Sequence, residues 1–102
     1  MYGKTSFGSR LRACRVSAGL SQEDVGVGIG VDRDSARTRI SRYESGAHQP
    51  PLVTAIALAD FFNVPLAFLY CEDDILAEVI KNISCLPRTS LLDLVDQLRR
   101  PT

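Results

Sequence analysis

The chain has 102 residues, of which 45% are hydrophobic and 24% charged, and its formal net charge is zero. That length supports one domain with a real core and is too short for two. No apolar run approaches the roughly 20 residues of a membrane span, and Met1 to Arg10 lacks the apolar stretch of a secretory signal. The expectation is a cytoplasmic protein with no membrane contact.

Periodicity and punctuation predict helices throughout and no strand. Phe7, Leu11 and Cys14/Arg15 recur at helical spacing from about Ser6 to Ser17, and Gly19 ends that helix. Ser21 caps a short second helix, about Gln22 to Ile29, with Asp24 completing an approximate capping box. Gly26 and Gly28 weaken it by about 1 kcal/mol each relative to Ala, so packing must hold it. Asp32 or Asp34 caps a third helix that runs to about Glu44, with Ile40 and Tyr43 facing inward. A loop follows from Ser45 to Pro51. Leu52 to Phe62 form a fourth helix with Leu52, Ala55, Ile56, Ala59 and Phe62 on one stripe. Asn63-Val64-Pro65 breaks it, and Pro65 opens a fifth helix to about Tyr70.

The acidic run Glu72-Asp73-Asp74 suits the start of a sixth helix, whose apolar face is Ile75, Leu76, Val79, Ile80 and Ile83. Leu91, Leu94, Val95 and Leu98 mark a seventh, ending before Pro101.

Charge is distributed unevenly. Residues 1–49 carry eight Lys/Arg against five Asp/Glu, a net +3, while residues 50–102 carry four against seven, a net −3. A polyanion should approach the first half. Catalytic signals are weak: no nucleophile–base pair stands out, and Gly26-Val27-Gly28-Ile29-Gly30 follows no strand, so it fails the dinucleotide pattern. Cys14, Cys71 and Cys85 fit no zinc spacing, have only His48 to join them, and include no C-x-x-C pair. Cys14 and Cys71 are expected as buried thiols, and neither a metal nor a cofactor is implied.

Several segments together resemble one known family. Arg15-Val16-Ser17-Ala18-Gly19-Leu20-Ser21-Gln22-Glu23-Asp24-Val25-Gly26, then Gly30-Val31, then Ile40-Ser41-Arg42-Tyr43-Glu44-Ser45-Gly46, and later Leu58 to Pro65 with Leu69, look like the helix-turn-helix family of Cro and phage repressors, also called xenobiotic-response-element-like. The resemblance covers about residues 7–70. It implies an all-α fold: a five-helix, lambda-repressor-like helix-turn-helix domain over 1–70, followed by two additional helices in a C-terminal extension over 71–102. It further implies a role on double-stranded DNA.

In a helix-turn-helix the second helix of the motif lies in the major groove. With Ile40 and Tyr43 inward, Arg37, Thr38, Ser41 and Arg42 become the base-contacting candidates. Arginine can take guanine O6 and N7 with two hydrogen bonds, for about 1–3 kcal/mol of discrimination. Arg39 is assigned to phosphate. Ser21 and Gln22 open the second helix, where free N–H groups attract phosphate, and the resemblance gives Gln22 the part of a backbone clamp. It also assigns Ser45 and His48 to a phosphate-facing loop, and Arg15 with Glu44 to a structural ion pair. Gly26 stands where the family usually has Ala, allowing a close helix approach.

One departure bears on the site. Eight residues, Asp32 to Arg39, separate Val31 from Ile40 where the family has four. They either lengthen the reading helix at its N-terminus, adding Arg33 and Ser35 to its DNA face, or enlarge the turn. Asp32 and Asp34 would repel phosphate, which favours an enlarged, capped turn with Arg33 as a peripheral phosphate contact.

The functional expectation is a sequence-specific transcriptional regulator, a repressor acting as a homodimer on an inverted repeat. The last two helices either supply the dimer interface or fold back to thicken the core. The alternative is an antitoxin or other protein-interaction module built on the same scaffold. No small-molecule effector can be named from the sequence.

Overall fold

The punctuation by Ser, Gly, Asn and Pro sets the helix ends. The computed structural model describes residues 5–100, and among these it holds seven helices and no strand: α1 (Phe7–Ser17), α2 (Gln22–Gly28), α3 (Arg33–Ser45), α4 (Leu52–Phe62), α5 (Leu66–Tyr70), α6 (Asp74–Ile83) and α7 (Arg88–Arg99). Ser21 and Asp24 form a reciprocal capping box at the start of α2, and the Ser21 amide holds the Asp24 carboxyl below its ordinary range. Gly46 closes α3 at φ 82°. Asn63 closes α4 in the same left-handed region, at φ 55°, which Asn tolerates better than other side chains. Asp73 caps α6 by accepting from the Ile75 and Leu76 amides.

Each of the first five helices gives the core one fully buried Leu, Val or Ile side chain: Leu11, Val25, Ile40, Leu58 and Leu69. Burying each contributes about 1.5–3 kcal/mol relative to leaving it in water. Phe7, Tyr43, Phe68 and the alanines Ala55 and Ala59 fill in around them. The most extensive helix contact is between α2 and α3, and glycine makes it possible. A Cβ on Gly26 would stand 2.5 Å from the Cβ of Ala36.

That contact corrects the expectation for residues 32–39. They do not enlarge the turn; α3 begins at Arg33, and only residues 29–32 separate it from α2. The extra residues contain no Gly or Pro to break a helix. Asp32 supplies the extended N-cap backbone, although its side chain makes no capping bond. Ala36, inside the added turn, is completely buried. Helix formation there therefore gains packing that a solvated turn would forgo.

Two apolar stripes are rotated relative to expectation. In α4 the buried residues are Ala55, Leu58 and Ala59, whereas Leu52 and Ile56 are exposed. Its sequence is apolar nearly all round, so packing alone selects the inner face. In α6 the inward residues are Ala77, fully buried, and Ile80, while Ile75, Leu76 and Val79 face solvent. The small Ala77 lets α6 lie close to α5.

Arg10 ties this extension to α1. It is only 8% exposed; its Nε donates to the Cys71 carbonyl at 2.7 Å and its Nη2 to Asp74 at 3.0 Å. Its guanidinium also lies over the Phe68 ring, 5.3 Å from the centroid. By contrast, α7 buries none of its residues. The molecule is correspondingly elongated, 55 × 32 × 24 Å, with a radius of gyration of 15.6 Å, against about 13 Å for a compact domain of this length.

Candidate nucleic-acid interface

The Ala36–Ile40–Tyr43 stripe fixes the rotation of α3 by burying one face, and every residue opposite it is exposed. Arg37, Thr38, Arg39, Ser41 and Arg42 all lie outward, and among the described residues none of their side chains makes a hydrogen bond or ion pair. Four arginines within ten residues of this helix, three of them unpaired, outnumber Asp32 and Asp34 and make its exposed side net positive.

The candidate base contacts do not form one row. Arg37 turns toward α1 and α2, sharing a concavity with Arg12, Arg15, Ser21, Gln22 and Glu23. Thr38, Arg39 and Arg42 line a second concavity on the opposite flank with Asp34, Ser35, Tyr43 and His48. At about 100° per residue, Ser41 stands on the ridge between the two flanks. A duplex groove receiving α3 would meet both concavities at once.

The phosphate candidates occupy the rims. Ser21 and Gln22 sit at the α2 N-terminus beside Arg37. The Gln22 amide donates one N–H to Glu44 at 3.2 Å and keeps a second for a ligand. Arg33 is exposed but paired with Glu23 of α2, which directs its guanidinium away from the outer ridge. Ser45 is engaged locally: its hydroxyl donates to the Arg42 carbonyl and accepts from the Ala47 amide. The amides of Gly46 and His48 also donate, back to the Tyr43 and Arg42 carbonyls at the end of α3. What this loop offers outward is the exposed His48 side chain, facing Arg39 and Arg42.

Arg15 and Glu44 meet as a nearly buried, two-bonded ion pair, Nε to Oε2 at 2.6 Å and Nη2 to Oε1 at 3.1 Å. Their side chains are 15% and 5% exposed. The hydrogen bond to Glu44 raises the Arg15 pKa, so this guanidinium stays charged. Arg15 also donates to the Leu20 carbonyl. One carboxylate thus joins α1, the start of α2 and the end of α3. Beside it, a Cβ on Gly8 would lie 2.4 Å from the Glu44 carbonyl oxygen, so α1 presses directly on the end of α3.

Sequence reasoning missed three participants. Arg12, exposed and unpaired beside Arg37, extends the positive surface onto α1; it lies opposite the buried Phe7/Leu11 side, a signal readable from helical period. The Gln22–Glu44 bond required knowing that the ion pair sits beneath the α2 N-terminus. Asp34 also lines the concavity with Arg42. Among the described residues no group of His, Cys, Asp and Glu could hold a metal ion, and no helix is long and apolar enough to cross a membrane. Cys14 and Cys71 are half-buried, Cys85 is exposed, and burial pushes the Cys14 thiol pKa up.

A helix-turn-helix family model matches residues 11–69, a span from within α1 to within α5 that includes all of α2 and α3. The chain belongs to the helix-turn-helix family of Cro and phage repressors. Within this family, it is 38% identical over 68 residues to the cryptic phage CTXphi transcriptional repressor RstR of Vibrio cholerae. The match covers 67% of the present chain and 58% of that repressor, so the chain spans little more than half the length of this curated relative. Among solved structures it is similar to the transcriptional regulator BswR, with a TM-score of 0.80 and 40% identity over 89% of this chain and 90% of that one. The likeness to BswR extends beyond the family-model segment and so includes much of the C-terminal extension.

Proposed function

We propose that this protein is a sequence-specific transcriptional regulator of duplex DNA, a repressor that acts in the cytoplasm as a homodimer on an inverted-repeat operator. The observation that carries this reading is the outer face of α3. Three unpaired arginines and two unpaired hydroxyl residues project from a helix whose other face is locked into the core. An isolated structural helix has no need of such a face. A major groove about 12 Å wide accepts one helix. The positive rim from Arg12 and the α2 N-terminus would meet the backbone phosphates. The named roles of the two relatives, a transcriptional repressor and a transcriptional regulator, agree with this reading.

Dimerisation is supported by what the C-terminal extension leaves in solvent. Ile75, Leu76 and Val79 of α6 and Leu92, Val95 and Leu98 of α7 are exposed, Leu98 to 77%. Monomeric proteins rarely leave a large contiguous apolar surface uncovered. In this reading residues 1–70 bind DNA and the helices in 71–102 pair two copies, with the two α3 helices about 34 Å apart, one DNA turn.

Selection of random duplex DNA with the purified protein tests the proposal. Enrichment of an inverted repeat with half-site centres about 10 base pairs apart is the expected result. Enrichment of no sequence, with only salt-sensitive weak binding, would contradict it.

A further inference from the structure

We infer that Asp34 reads a base, demanding cytosine at one position of each operator half-site; this deepens the role proposed above for α3 and rests on it. The starting observation is an unpaired carboxylate in arginine-rich surroundings. Asp34 is the second residue of α3 and is exposed. Arg33 next to it reaches instead to Glu23, and Asp34 itself makes no hydrogen bond or ion pair. Nor does it cap the helix, since Asp32 occupies that position.

Its placement points outward along the reading surface. Asp34, Thr38 and Arg42 follow one another at intervals of four residues and line the same concavity, so they share one stripe of the helix. The extra turn of α3 is what puts a residue at this point. Helices of this motif contact base edges with their N-terminal residues, and Asp34 stands in that first turn.

An ionised carboxylate is an acceptor only. Guanine and thymine present acceptors in the major groove, at N7, O6 and O4, and would repel it. Adenine presents its N6 donor beside the N7 acceptor, whereas cytosine presents the N4 donor without one. Each amino group lies beside an acceptor of its paired base, but adenine adds N7 on its own edge, so cytosine is the base that donates to Asp34 with the least competing repulsion. Asp34 and Arg42 are eight residues apart, about 12 Å along the axis, and with about 3.4 Å per base step that spans three to four base pairs. The expected half-site carries a guanine for Arg42 and, three to four pairs away, a cytosine for Asp34.

The test is random-duplex selection on the wild type, Asp34→Ala and Asp34→Asn. The wild type should enrich cytosine at one position per half-site. Asp34→Ala should lose that preference, about tenfold at this position, and retain the others. Asp34→Asn should turn it toward adenine, which an amide can contact at N6 and N7; this near-isosteric variant keeps the test decisive if the alanine frays the first turn. Unchanged preferences in all three proteins, with affinity merely rising on loss of the charge, would overturn the inference and leave Asp34 as a phosphate repellent. A wild type that enriches no sequence would instead sink the regulator proposal, and this inference with it.

Discussion

Replacing Gly26 by Ala sets two effects of opposite sign against each other. Helix propensity alone predicts a gain, because Ala is favoured over Gly inside a helix by about 1 kcal/mol. The structure predicts a clash: the new methyl would meet the Ala36 Cβ at 2.5 Å, its Cα at 2.8 Å and its carbonyl oxygen at 3.0 Å. Two of those atoms are backbone, so no side-chain rotation relieves the contact. Ordinary van der Waals separation would require α2 and α3 to part by about 1 Å, and overpacking of this kind costs about 1–3 kcal/mol. The net expectation is a loss of about 1 kcal/mol, lowering Tm by about 4–8 °C in a domain of this size. Thermal unfolding followed by circular dichroism provides the assay. Gly26→Ala melting above wild type would refute the close-packing argument, and with it the claim that the added turn of α3 is anchored through Ala36.

Other perturbations probe the scaffold and the assembly. Glu44→Ala leaves the nearly buried Arg15 without its partner and should cost about 3–5 kcal/mol in chemical denaturation; a loss below about 1 kcal/mol, the value of a surface pair, would mean that the network is solvated. The Asp74 carboxyl is held below its ordinary range by hydrogen bonds from Thr5 and then Arg10, so its contribution is present above the ordinary carboxylate range and lost as pH falls through the lowered pKa. Asp74→Ala should therefore flatten the acid limb of the Tm–pH curve, and identical acid limbs in both proteins would contradict that linkage. Leu98→Glu, exposed on a helix with no fully buried residue, should give a monomer in analytical ultracentrifugation with an unchanged far-ultraviolet spectrum. A persistent dimer would place the interface elsewhere.

Local chemistry made much of the fold legible. Ser21 with Asp24, Gly46, and Asn63 with Pro65 each dictate a backbone event that chain position alone identifies, and the helices start or stop there. Faces were harder than ends. Periodicity reveals that α4 and α6 have apolar stripes, but which part is covered depends on neighbours distant in the chain; Ala77 beat the larger Ile75 and Leu76 because close approach to α5 favours a small side chain. The burial of Arg10 was illegible for the same reason, since Asp74 lies 64 residues away. The added turn did have a signal. Gly26 and Ala36 are small residues that pack against each other once residues 33–39 are helical, whereas repulsion between Asp32, Asp34 and phosphate points toward an enlarged turn.

The site shows the same division. Burial of Ile40 and Tyr43 could be foreseen from their spacing, and it forces Arg37, Thr38, Ser41 and Arg42 outward. The splitting of these residues between two flanks, and the local engagement of Ser45, follow from how α2 and the 45–51 loop pack beside α3. Sequence spacing alone carries no such information.

The most direct test of the account compares wild type, Arg37→Ala and Arg42→Ala for affinity to the selected operator and to a scrambled duplex at fixed salt. Each loss of a guanine contact should weaken operator binding by about 1–3 kcal/mol, with a much smaller effect on the scrambled duplex and little change in Tm. Equal losses on both duplexes, or none on either, would contradict the assignment of α3 as the reading helix.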